Sequence, residues 1–179
     1  MNIYLVRHGE TEHNRLGYYS NEDEDLNENG IKQAYKLKEL IKDIPYQICY
    51  CSPLLRARHT AEILNEESDR IIIPIEQLTE RNPKVLNGKP LEFTDRNEYW
   101  NYYSTVDYGS ETMQELFDRV FYFLNYLKTK AGYSDILIVA HSGISKAFRA
   151  YFEGIPEDGQ FLHLGLKNCE VKKYVLEVY

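Results

Sequence analysis

Asn2-Ile3-Tyr4-Leu5-Val6-Arg7-His8-Gly9-Glu10-Thr11 is the stretch on which the fold turns. Residues 2–6 are a short apolar run, the pattern of a buried strand. A cation, an imidazole and a glycine therefore arrive together where that strand ends. In open α/β sheets, ligands sit beyond the carboxyl ends of the strands. Near the other end of the chain, Ser134-Asp135-Ile136-Leu137-Ile138-Val139-Ala140 is a second apolar run, and His141-Ser142-Gly143 follows it. Two histidines, each just past a buried strand, can converge on one crevice.

The segments between them alternate in kind. Asn27 suits a helix N-cap, with Leu26 and Ile31 at the two positions of a hydrophobic staple. Ile31, Ala34, Leu37, Leu40, Ile41 and Ile44 then form an apolar face that Pro45 ends. Tyr46 to Cys51 reads as a second strand. Ser52-Pro53 reads as an N-cap followed by proline at the first helical position, with Leu54, Ala57, Ala61 and Leu64 as the buried stripe. Arg56 stands off that stripe near the helix N-terminus, where anions bind.

Ile71 to Ile75 is a third strand whose proline marks an edge or an early end. Residues 82–109 are irregular. A long helix starts near Ser110-Glu111-Thr112, and another is expected from about Gly143 to Phe152. Phe161 to Leu166 and Val171 to Val178 read as a hairpin around Lys167-Asn168. The expectation is a three-layer αβα domain spanning residues 1–179, with a mainly parallel central sheet, a C-terminal antiparallel hairpin and 82–109 as a short lid insertion.

Length and composition narrow the function. The chain has 179 residues, enough for one domain with a full core. A formal net charge of −7 argues against nonspecific binding to nucleic acid. No apolar run approaches the roughly 20 residues that a membrane span needs. No basic and apolar leader opens the chain, so a cytoplasmic location is expected. Three cysteines do not suggest a disulfide framework. Cys49 and Cys51, about 6.6 Å apart if both lie on a strand, read as small buried hydrophobes.

The chemistry-bearing residues at strand ends and helix starts are Arg7, His8, Asn14, Arg56, Glu80 and His141. Arginine forks match phosphate oxygens bidentately. A neutral imidazole can attack phosphorus covalently, and a carboxylic acid can protonate the departing alkoxide. No Walker-type loop is present. His8, Glu10, Glu12 and His13 match no usual zinc spacing, so no metal is expected. His13, His59 and His163 read as structural or surface residues, and Glu22-Asp23-Glu24-Asp25 as a solvated loop. Tyr99, Trp100, Tyr102, Tyr103 and Tyr108 fit either packing under a loop or a substrate-facing wall.

These residues also resemble a known family. Arg7-His8-Gly9-Glu10-Thr11 with Asn14 is similar to the signature of the histidine phosphatase superfamily, the phosphoglycerate mutase-like enzymes. Leu26 to Ala34, Ser52-Pro53-Leu54-Leu55-Arg56-Ala57 through Thr60-Ala61, Leu78-Thr79-Glu80, Gly109 to Thr112, and Val139-Ala140-His141-Ser142-Gly143 resemble its further segments in order. The resemblance implies that His8 takes the phosphoryl group and that Arg7, Asn14 and Arg56 bind its oxygens. It implies that His141 contacts the phosphoryl group and stabilises transition-state charge. Glu80, which has Glu76 as a neighbouring carboxylate, would be general acid and then base. No cofactor or metal is implied.

Within such a family the choice lies between hydrolase and mutase. The family's mutases are longer and carry paired arginines before the long helix. Here that region holds only Arg81, Lys84, Lys89 and Arg96, with no adjacent pair. A phosphatase acting on a small phosphorylated metabolite is therefore favoured, with phosphohistidine on a protein as a second candidate substrate. Phosphoglycerate mutase-type transfer and a noncatalytic phosphate-binding protein of the same fold are the alternatives.

Overall fold

The computed structural model describes residues 1–130, 132 and 135–178. Ser134, which opens the later apolar run, lies outside them. The order is β1 (Asn2–Arg7), α1 (Glu12–Leu16), α2 (Glu28–Ile41), β2 (Ile48–Cys51), α3 (Leu55–Asn65), β3 (Ile71–Pro74), α4 (Arg96–Tyr99), α5 (Met113–Lys128), β4 (Asp135–Ala140), α6 (Ser142–Glu153) and β5 (Val171–Val175). Short 3-10 turns lie at Glu76–Leu78, Lys84–Leu86 and Leu91–Phe93.

The five strands form one sheet in the order β3-β2-β4-β1-β5. β1 to β4 are mutually parallel and β5 runs antiparallel to β1. Alternation along the strands sorts the side chains into two layers. Val6, Cys49, Cys51, Leu137 and Val139 pack with Leu37 and Ile41 of α2 and Ala57, Ala61 and Leu64 of α3. Ile3, Leu5, Ile48, Tyr50, Ile136 and Ile138 face the opposite way, onto Leu116, Val120, Phe123 and Leu124 of α5 and Ile144, Ala147 and Phe148 of α6. Each large apolar side chain fully buried in this way contributes roughly 1.5–3 kcal/mol.

Helix starts follow local chemistry. The Asn27 side chain accepts from the Gly30 amide at 2.8 Å, which caps α2. Thr112 and Glu115 form a reciprocal capping box at the start of α5. The two cysteines are free and buried, and burial raises both thiols, Cys51 to about 11. They are therefore poor thiolates.

Four expectations need correction. Residues 161–166 form no strand; β5 instead adds to β1, with Val6 opposite Val171. The apolar residues of 161–166 are used against α5 and α6, where Phe161 and Leu166 are buried. Ser52 is not an N-cap, because α3 begins at Leu55 and its cap position is Leu54. The Ser52 hydroxyl instead accepts from the Leu54 amide and meets His141. Tyr46 precedes β2 rather than opening it, and its hydroxyl donates to Asn65 Oδ1 at 3.0 Å. Leu40 is 72% exposed, since it lies to the side of the Ala34–Leu37–Ile41 stripe.

Candidate active site

The strand register brings the site together. Arg7 at the end of β1 sits opposite Ala140 at the end of β4, and the His8 amide donates to the Ala140 carbonyl at 2.9 Å. Ser52, just past β2, donates its amide to the Val139 carbonyl at 2.9 Å. Three adjacent parallel strands thus end level, and the residues that follow them face one crevice. Arg7, His8, Asn14, Arg56 and Glu80 all line a pocket of about 630 Å³. His141 is buried beside it, its ring 5.0 Å from that of His8 at 62°.

His8 is almost fully buried, and its Nδ1 lies 2.6 Å from the Gly9 carbonyl. A carbonyl can only accept, so Nδ1 carries the proton and Nε2 keeps a lone pair. Burial, then the charges of Arg56 and Arg7, hold the His8 imidazole well below its ordinary range. His141 is held low by burial, Arg56, His8 and Arg7, and its Nε2 lies 2.7 Å from Ser52 Oγ. Both rings are therefore neutral at pH 7. Two adjacent imidazolium ions beside two guanidiniums would repel strongly in a buried site.

The guanidiniums are only partly used by the protein. Arg7 donates to the Leu166 carbonyl at 2.9 Å and Arg56 to the Asn21 carbonyl at 2.8 Å. Among the described residues, Arg7 Nε, Arg56 Nε and His141 Nδ1 are buried without a hydrogen-bond partner. Such donors are costly unless a ligand completes them. Asn14 reaches the same wall from α1, where Thr11 caps the helix and Asn14 Oδ1 accepts from Asn168 at 3.1 Å.

Glu80 follows the 3-10 turn 76–78 and accepts from the Gly143 amide at 3.0 Å and from the Arg81 amide at 2.8 Å. Gly143 is needed there, since a Cβ would lie 2.2 Å from Glu80 Oε1. Glu76 also lines the pocket but is exposed. The set comprises a neutral imidazole with a free lone pair, two guanidinium forks and a carboxyl group, residue types that suit phosphoryl transfer. Among the described residues, no three His, Cys, Asp or Glu side chains are grouped to hold a metal ion. No helix among them is long and apolar enough to cross a membrane.

A model of the histidine phosphatase superfamily, branch 1, matches residues 3–178. The chain belongs to that superfamily. It is 34% identical over 153 residues to the uncharacterized phosphatase PhoE of Bacillus subtilis (strain 168), covering 85% of this chain and 77% of that one. It is 34% identical over 155 residues to the adenosylcobalamin/alpha-ribazole phosphatase of Salmonella typhimurium, covering 80% and 75%. A solved structure of a putative alpha-ribazole-5'-P phosphatase from Escherichia coli superposes with a TM-score of 0.76 at 29% identity, covering 87% and 81%.

The same pocket also holds residues that sequence reading passed over. Asn168 donates to the His8 carbonyl at 3.0 Å as well as to Asn14. Lys146 of α6 is buried and lines the pocket. The signal for it is faint: a lysine whose helix neighbours Ile144, Ala147 and Phe148 are all buried. Tyr99 and Trp100 resolve their dual reading by being both core and pocket wall. The acidic run is less free than a solvated loop, because Glu24 pairs with His13 at 2.7 Å and Asp25 with His59 at 2.8 Å.

Proposed function

We propose that this histidine phosphatase hydrolyses a small phosphomonoester through a phosphohistidine on His8. The carrying observation is the His8 tautomer: Nδ1–H held by the Gly9 carbonyl, a neutral ring and an Nε2 lone pair in a pocket wall shared with two guanidiniums. Nε2 attacks phosphorus and the bond to the alcohol oxygen breaks. Glu80, protonated for this step, gives its proton to that oxygen. Water then attacks the phosphorus, Glu80 takes the water's proton, and the phosphorus–nitrogen bond breaks to release phosphate.

Arg7, Arg56 and Asn14 bind the phosphoryl oxygens, and His141 stabilises the charge that builds on them. The guanidiniums supply the positive charge that a metal would otherwise provide, so the mechanism needs no metal. Residues 82–109 act as a lid, since Asn82, Pro83, Leu91, Arg96, Tyr99 and Trp100 line the pocket from that segment.

The test is hydrolysis of a nitrophenyl phosphate by wild type and His8→Ala, with and without a chelator. The expected result is chelator-resistant activity that His8→Ala abolishes, with an acid-labile label on His8 after quenching. Full activity in His8→Ala would overturn the reading.

A further inference from the structure

The turn that leads into β5, residues 167–170, lies against the end of β1. Because β5 runs antiparallel to β1, its first residue sits beside the last residues of β1, with Val171 opposite Val6. The ladder extends one step further, since the Arg7 amide donates to the Glu170 carbonyl at 3.2 Å. The Glu170 amide closes the turn on the Lys167 carbonyl at 3.0 Å. The third residue of the turn, Cys169, has φ 53°, a left-handed conformation that usually falls to glycine. Its amide reaches the carbonyls of Arg7 and His8 at 2.9 and 3.3 Å. A strained turn persists where its surroundings fix it, and such turns cluster at functional sites.

Asn168, the second residue of this turn, bridges two groups of the site. Its Nδ2 donates to the His8 carbonyl at 3.0 Å and to Asn14 Oδ1 at 3.1 Å. The two bonds set polarity one after the other. The His8 peptide is anchored on its N–H side by the Ala140 carbonyl at 2.9 Å. Its own carbonyl can only accept, so the Asn168 atom that faces it is the nitrogen. That nitrogen can only donate, so the Asn14 atom that faces it is the oxygen. The Asn14 NH2 is thereby turned the other way, with Nδ2 3.4 Å from Ser20 Oγ. Asn14, Ser20 and Asn168 all line the pocket. A reversed Asn14 amide would set N–H against N–H at Asn168 and present an oxygen where Nδ2 now stands.

We infer that Asn168 is a positioning residue: it carries the fixed polarity of the His8 backbone across to Asn14 and keeps an N–H donor, not a carbonyl oxygen, toward the phosphoryl group. One nitrogen with two hydrogens serves both acceptors, which a hydroxyl cannot do. The inference rests on the phosphatase reading for the role of Asn14 as a phosphoryl ligand.

The test is a double-mutant cycle on Asn14 and Asn168, read by calorimetric binding of inorganic phosphate and by kcat/KM for nitrophenyl phosphate. Asn168→Ala is expected to weaken phosphate binding and to lower kcat/KM about tenfold, as is Asn14→Ala, through the loss of one hydrogen bond to a charged group. The double variant is expected to match Asn14→Ala within about twofold, because Asn168 acts through Asn14. Losses that multiply in the double variant, or phosphate binding unchanged in Asn168→Ala, overturn the inference and leave the phosphatase reading in place. A loss of thermal stability with phosphate affinity unchanged also overturns it, since Asn168 would then be a strut of the turn alone. If Asn168→Ala does not fold, Asn168→Ser takes its place in the cycle, because it keeps a donor but has a single hydrogen to give. A protein without turnover that still binds phosphate, with the two asparagines coupled in that binding, retains the positioning role and loses the phosphatase reading.

Discussion

The Glu80 carboxylate accepts the backbone N–H of Gly143 at 3.0 Å, which ties the loop after β3 to the first turn of α6, two residues past His141. The contact exists because residue 143 has no side chain. Gly143→Ala would force the carboxylate aside while leaving its chemical identity intact. Turnover of alkyl phosphates, whose leaving oxygen needs a proton, is expected to fall at least tenfold. Nitrophenyl phosphate, with its good leaving group, is expected to fall much less. Equal losses on the two substrates would assign Glu80 a role other than acid.

Arg56 stands two residues into α3, its guanidinium anchored at one end by the Asn21 carbonyl. It meets the phosphoryl group in both ground and transition states on the proposed reading. Arg56→Ala should therefore weaken inhibition by inorganic phosphate and lower kcat/KM together, by roughly tenfold or more. Arg56→Lys should recover little, because an ammonium cannot offer the fork. Steady-state kinetics with phosphate as competitor check both.

Ser52→Ala tests the second histidine. Ser52 Oγ is buried and lies 2.7 Å from His141 Nε2. Removing it leaves a buried imidazole nitrogen unpaired, at a cost of about 1–3 kcal/mol. Thermal denaturation should show that loss, and turnover should drop several-fold as the ring loses its orientation. Unchanged stability would mean that another group takes over the bond.

Much of this was legible from residue order alone. The apolar runs ending at Val6 and Ala140, each followed by a histidine, located the two catalytic candidates because parallel strands that end level put their next residues together. Capping chemistry at Asn27 located α2. The C-terminal segment was misread for a physical reason: 161–166 alternates like a strand, yet its Phe161 and Leu166 are claimed by the α5–α6 layer, and the free edge of β1 takes β5. Lys146 and Asn168 were missed because a lysine on a helix and an asparagine in a turn are usually solvated. Only the fold brings them against His8, Trp100 and the pocket.

Lys146 also gives a stability signature that is independent of any substrate. Its pKa is lowered in the fold from 10.5 to about 7, first by burial, with Arg7, Arg96 and Arg81 adding and Glu80 opposing. The unfolded chain therefore binds the extra proton between those values, so this residue costs stability below about 7 and the cost fades as pH rises toward 10.5. Lys146→Met removes the buried ammonium and keeps most of the volume. The variant should be more stable than wild type by a few kcal/mol at pH 6, and the gain should shrink steadily in alkaline solution. Denaturant unfolding of both proteins at acid, neutral and alkaline pH measures it. A difference that does not vary with pH would mean that Lys146 is solvated in the folded protein.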